Sequence, residues 1–181
     1  MASTTRRTLL VAPLALLLTG GAFLAWRTHQ AAQAAPLSSG AQADRILVRK
    51  AQREMTLFRD GQPLKTYAVA LGPGEPGAKR REGDNRTPEG LYRISGRNPK
   101  SAYHLSLRIS YPEPHDVAAA QARGESPGGD IMIHGIRNGL GWIGPLHRQM
   151  DWTAGCVAVT DAEIKEIWRA VPDGTSIEIL P

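Results

Sequence analysis

The sequence predicts a mainly β domain with one or two helices packed on it, preceded by an export leader. Short apolar–polar alternations recur from residue 44 onward, as in RILVRK, HLSLRISY and SIEIL. Glycine, proline and Asp-Gly turn signals punctuate them. Only TDAEIKEIWRAV carries a strong helical period.

Taken in order, Arg6 and Arg7 precede an apolar run from Thr8 to Trp26, and Ala32 and Ala34 follow at A-x-A spacing. A basic start, an apolar middle and small residues describe a signal peptide over residues 1–34. The run also nears the minimum of about 17 residues for a membrane span, so an uncleaved signal anchor is the alternative. Both readings put the rest of the chain outside the cytoplasmic membrane. Residues 35–43, rich in Ala, Ser, Gly and Pro, read as a linker, and residues 44–181 as one domain.

Within the domain, Ile46 and Val48 mark the first strand. Two strands then flank Asp60-Gly61, a hairpin turn that demands positive φ. Pro63 belongs at a strand end or an edge, because it donates no ladder hydrogen bond. Residues 72–90 form a long polar loop, and loops of this length are usually functional or mobile. LYRIS restarts a strand. HLSLRISY follows with Leu105, Leu107, Ile109 and Tyr111 on one face, and His104, Ser106 and Arg108 on an exposed polar face. DVAAAQARG suits a short helix with Asp116 as cap and Gly124 past its end. A strand from Ile131 to Ile133 ends in His134, and CVAV forms another. In the last helix Thr160 and Glu163 make a capping box, and Ile164, Ile167, Trp168 and Val171 share a face. Pro172 and Gly174 stop it before the final strand, SIEIL.

Beyond the leader, 147 residues suffice for one core. The chain carries a net +5, but Arg6, Arg7 and Arg27 lie in the leader, which has no acidic residue, so the remainder carries +2. That is too mild for a nucleic-acid-binding surface. Lys79, Arg80 and Arg81 read as a solvated stretch of loop.

Cys156 is the only cysteine. In an exported protein a single thiol is buried, paired with another chain, or reactive. Cys156 begins a strand after a Thr-Ala-Gly turn, and His134 ends a strand before Gly135. Strand ends hold a side chain rigidly at the edge of a loop. A thiol of ordinary pKa is only a few per cent thiolate at neutral pH, and a neighbouring imidazole can take its proton and later return it to a leaving amine. By spacing alone, a Cys and a His 22 positions apart are weak support, and a buried inert thiol stays open. A zinc site from His134, His147 and Cys156 lacks any closely spaced ligand pair.

Three motifs narrow the choice. IMIHG followed by WTAGCVAV resembles the His-Gly and Ser/Thr-x-Gly-Cys signature of the L,D-transpeptidase catalytic domain, the YkuD family. RTPEGLYRI resembles its Thr-Pro-x-Gly-x-Tyr/Phe element, and the three occur in the family's order over roughly residues 45–180. SYPEPHD and PGGDIMIHG look most like its short stand-alone members. The resemblance implies a β-sandwich-like catalytic domain acting on peptidoglycan stem peptides in a Gram-negative periplasm. It implies Cys156 as nucleophile on the L-side carbonyl of an L,D peptide bond, with His134 as base and acid. The Gly135 carbonyl orients the imidazole, and the Gly155 and Cys156 amides receive the oxyanion. An amine from another stem peptide or a wall-linked lipoprotein resolves the thioester. No metal or organic cofactor is implied.

Arg137, Arg148, Trp142 and Thr153 are the candidates for substrate contact, since arginine forks match the carboxylates of stem peptides. The chain departs from many members at Ala154, where they have His, and at Ala158, where they have Arg or Asn. Two rivals remain: a hydrolase with the same site, either an L,D-carboxypeptidase or an amidase releasing a wall-linked protein, and a non-catalytic peptidoglycan-binding protein.

Overall fold

The computed structural model describes residues 35–181; the expected leader lies outside the described residues. Eight strands form one curled sheet: β1 (Arg45–Arg49), β2 (Glu54–Arg59), β3 (Gln62–Ala68), β4 (Gly90–Asn98), β5 (Ser106–Ile109), β6 (Met132–His134), β7 (Val157–Ala158) and β8 (Ser176–Leu180). The spatial order is β3-β2-β1-β8-β4-β5-β6-β7. β1 with β8 and β6 with β7 are parallel, and the remaining neighbours are antiparallel.

Local chemistry explains the hairpins and the curl. Asp60 and Gly61 both have positive φ (50° and 75°), the turn that joins β2 to β3. Pro63 sits in the edge strand β3 next to a register shift at Leu57/Phe58. A second shift, at Ile94/Gly96, bends β4 so that it pairs with β8 through its first half and with β5 through its second. The chain beyond β3 then reaches the far edge. Ala70 and Ala158 exchange two backbone hydrogen bonds, at 3.0 and 2.8 Å, and nearly close the sheet on itself. The predicted sandwich-like core is thus one sheet folded over, with Ile46, Met55 and Ile177 in the same apolar cluster as Leu107, Ile133 and Val157.

Two α-helices cover it. α2 (Asp161–Ala170) carries the predicted capping box, with Glu163 N donating to Thr160 Oγ1 at 3.3 Å and Thr160 N to Glu163 at 2.9 Å. It buries Ile164, Ile167 and Ala170. Trp168 is only half-buried and is capped by the Arg97 guanidinium, 5.0 Å from its ring. α1 (Pro114–Gln121) starts three residues earlier than expected: Glu113 is the cap, and Asp116 sits one turn in, accepting from the Glu113 amide at 2.9 Å. Residues 141–149 make two 3-10 turns broken at Gly144.

The loop over residues 72–90 is built around a carboxylate. Asp84 accepts from Lys79 Nζ at 2.8 Å and from the amides of Arg80, Arg81 and Arg86 at 2.7, 3.1 and 3.0 Å. Lys79 is therefore buried in an ion pair instead of lying on a solvated loop, while Arg80 and Arg81 are exposed. Burial alone would raise the Asp84 carboxyl, but the Arg80 amide, the Lys79 ammonium and the Arg86 and Arg81 amides outweigh it and pull it down to about 2. A carboxyl depressed on folding stabilises above its unfolded pKa and loses that stability as pH falls through the folded one. Asp84→Asn is expected to cost about 2 kcal/mol near pH 7. It should also flatten the stability loss of the wild type between about pH 4 and 2. Denaturant titrations across that range check both.

Candidate active site

The parallel pairing of β6 with β7 sets Ile133 opposite Val157 and His134 opposite Ala158. Cys156, one residue before Val157, continues that register beside Met132. Side chains alternate across a strand, so His134, Met132 and Cys156 share a face. His134 and Cys156 are diagonal neighbours on it, a relation that spans about 7–8 Å between backbones, within reach of an aromatic or long side chain. Both line one cleft of about 480 Å³ with Tyr103, Ser106, Asp130 and Trp152.

The turn that delivers Cys156 is strapped down on both sides. The Trp152 and Thr153 amides donate to the Leu71 carbonyl at 3.0 Å, and the Leu71 amide donates to Asp151 Oδ1 at 3.0 Å. Arg53 holds Asp151 through Nη2 and Nε, at 2.7 and 3.0 Å from Oδ2. Asp151 thereby faces a guanidinium. Thr153 Oγ1 donates to the Cys156 carbonyl at 2.8 Å and accepts from the Gly155 amide at 3.2 Å. That amide, expected to face an oxyanion, is engaged inside the turn. Gly155 has φ +119°, and a Cβ there would lie 2.4 Å from the Arg86 carbonyl oxygen. The close approach that requires glycine is made by the chain's own 72–90 loop.

His134 is 4% exposed. Its Nδ1 lies 2.7 Å from the Gly135 carbonyl, which assigns the ring proton to Nδ1 and leaves the Nε2 lone pair free. Gly135 is fixed in turn: its amide donates to the Tyr103 carbonyl at 3.1 Å, and the next amide, Ile136, donates to Asp161 Oδ1 at 2.8 Å. A Cβ on Gly135 would meet that same oxygen at 2.7 Å. The Tyr103 ring lies 4.6 Å from the imidazole, and Trp152 meets it edge-on at 5.7 Å.

Burial lowers the pKa of His134, against the pull of the Gly135 carbonyl. Burial raises that of Cys156; Asp130 adds to the rise, while the Met132 amide and Lys79 oppose it. The thiol donates to the Asp130 carbonyl at 3.5 Å. The resting pair is a neutral thiol and a neutral imidazole that presents a lone pair.

The four expected substrate contacts are not gathered in this cleft. Thr153 lines it, with its hydroxyl bound into the turn. Trp142 is 80% exposed. Arg148 is paired with Glu163 of the α2 capping box. Arg137 lines an adjoining apolar groove of about 520 Å³, with Leu140, Ile143 and Leu146. Tyr103 and Trp152 belong to both clefts. His147 is buried beside that groove, with Trp152 Nε1 donating to its Nδ1 at 3.4 Å, and burial pushes its pKa down to about 4. Ser106 was missed: expected on an exposed face, it is 1% exposed and sits opposite His134. Alternation already placed it away from Leu107 and Ile109, but only the β5–β6 pairing shows what covers that face.

The profile of the L,D-transpeptidase catalytic domain (YkuD) matches residues 43–179. The chain is 29% identical over 132 residues to YafK of Escherichia coli (strain K12), provisionally named an L,D-transpeptidase; the match covers 70% of this chain and 46% of that protein. The chain thus spans about half the length of the curated relatives it matches. It superposes on the helical cell shape determining protein Pgp2 from Campylobacter jejuni with a TM-score of 0.58 at 23% identity, covering 77% of this chain and 48% of that one. With the L,D-transpeptidase from Xylanimonas cellulosilytica DSM 15894 the TM-score is 0.51 at 17% identity, covering 84% and 69%. These likenesses show the fold.

Gly155→Ala tests the crowding at the turn. It combines a positive φ with a backbone clash, so a loss of at least about 2 kcal/mol is expected. A lowered urea midpoint at unchanged m-value would register it.

Proposed function

Since the chain belongs to the L,D-transpeptidase catalytic-domain (YkuD) family, we propose that it transfers acyl groups between peptidoglycan peptides, with Cys156 as nucleophile and His134 as base. The observation that supports this most is the neutral Cys156–His134 pair on one face of the β6–β7 ladder, open to a shared cleft.

His134 Nε2 takes the thiol proton as sulfur attacks the carbonyl carbon on the L-side of an L,D peptide bond. The Gly135 carbonyl, already bonded to Nδ1–H, stabilises the imidazolium. The oxyanion draws on the Cys156 amide, since the Gly155 amide is held by Thr153. The C–N bond breaks, Nε2 returns the proton to the departing D-amino acid, and a thioester remains. An acceptor amine then attacks the thioester carbon and loses a proton to Nε2 as the C–N bond forms; Nε2 passes that proton to sulfur, which leaves as the thiol.

Amine and water compete for that last step, and water would make the enzyme a carboxypeptidase or an amidase releasing a wall-linked lipoprotein. The apolar groove that shares Tyr103 and Trp152 with the cleft favours an amine, because it offers a second chain a seat beside the thioester. Export through the leader would place the domain in the periplasm with this substrate. A role in cell shape, as named for Pgp2, would follow from remodelling cross-links.

Incubation with tetrapeptide muropeptides, with and without an acceptor peptide, is expected to yield cross-linked product by mass spectrometry. Tripeptide alone, with acceptor present, would rule against transfer. Cys156→Ala and His134→Ala should each lower turnover by on the order of 10³-fold or more without unfolding the domain. A lowered imidazole pKa keeps the base neutral to lower pH, so the acid limb of kcat/KM should lie below 6.5. A pH–rate profile checks this.

A further inference from the structure

Among the described residues, four buried side-chain polar atoms have no hydrogen-bond partner: Thr87 Oγ1, Ser106 Oγ, His147 Nε2 and Arg148 Nε. Of these residues only Ser106 lines the cleft that holds Cys156 and His134. A buried hydroxyl left without a partner costs folding free energy, and such groups cluster where chemistry uses them.

The sheet aims this one. The β5–β6 register puts Ser106 directly opposite His134, with Leu107 and Ile133 pointing the other way into the core. Directly opposed side chains leave their strands about 4.5–5.5 Å apart at Cβ, so a small adjustment of side chains joins a serine hydroxyl to an imidazole. His134 Nδ1 is committed to the Gly135 carbonyl, which leaves Nε2 as the one nitrogen that gains a proton. A hydroxyl oxygen has lone pairs to accept from it.

We propose that Ser106 is a positioning residue for the protonated state of His134, its Oγ accepting a hydrogen bond from Nε2–H once the imidazole holds the Cys156 proton. The S–H bond breaks, the N–H bond forms, the electron pair stays on sulfur, and Ser106 keeps its own proton. With the ring neutral the hydroxyl can only donate to the Nε2 lone pair, and the bond it accepts from the charged ring is the stronger of the two. It therefore favours the imidazolium over the resting pair, above all after sulfur has bonded to the substrate carbon and no longer offers a negative charge. The inference rests on His134 being the base for Cys156.

The test is alkylation of Cys156 by iodoacetamide from pH 6 to 11 in the folded protein, which needs no peptidoglycan. Ser106→Ala removes an unpartnered oxygen, so its Tm is expected to equal or exceed that of the wild type. Its alkylation rate at pH 7 should fall about tenfold. The deficit should vanish above about pH 10, where hydroxide removes the proton without the ring. Ser106→Thr should restore most of the neutral rate, and Ser106→Gly should repeat the loss. A wild-type rate at pH 7 in Ser106→Ala, or a deficit equal at every pH, overturns the proposal. His134→Gln separates the two readings: if it alkylates like the wild type, the base assignment itself fails and takes this inference with it.

Discussion

The site depends on the pairing of two very short strands, β6 and β7, in parallel and in one register. A slip by one residue would turn either His134 or Cys156 to the other face, because side chains alternate with period two. Two or three residues cannot hold a register by themselves. The flanks do it: β6 is paired on its other side with β5, and Ala158 of β7 exchanges two bonds with Ala70 beyond β3. The near-closure of the curled sheet thus helps to hold His134 and Cys156 on one face.

Burial shapes the electrostatics of the pair. A thiolate–imidazolium pair in a half-dry cleft pays desolvation on both ions, and both groups shift toward their neutral forms. The site answers by fixing direction: the Gly135 carbonyl holds Nδ1–H, and the Asp130 carbonyl takes the resting thiol. In the proposed reaction, charge is then made only as a substrate carbonyl receives it. A resting ion pair would react faster with any electrophile and would be worth less for selectivity.

Much of this was legible in the residues. Alternation marked most of the strands, Asp60-Gly61 the hairpin, Thr160 and Glu163 the start of α2, and the strand-end positions of His134 and Cys156 the candidate site. These are local signals, each readable in a few residues. What stayed hidden was contact between distant segments. Lys79 looked solvated because nothing local shows that Asp84 folds back on it. Arg148 looked free for substrate because its partner, Glu163, lies on a helix 15 residues away. Ser106 looked exposed because a polar residue in an alternating strand usually is, and only the neighbouring strand bearing His134 reverses that.

The glycines of the two motifs follow the same logic. The resemblance implies a carbonyl role for Gly135 and an amide role for Gly155, and neither role by itself requires a glycine. In the fold, the space of the first is filled by the Asp161 carboxylate and that of the second by the Arg86 carbonyl. Arg86 is in turn held by its amide to Asp84, the carboxylate at the centre of the 72–90 loop. A line of close contacts therefore runs from the buried Lys79–Asp84 pair, through Arg86, to the turn that presents Cys156. The long polar loop is the wall against which the proposed nucleophile is set, and on that proposal a change that loosens it would blunt the site while leaving every reactive group in place.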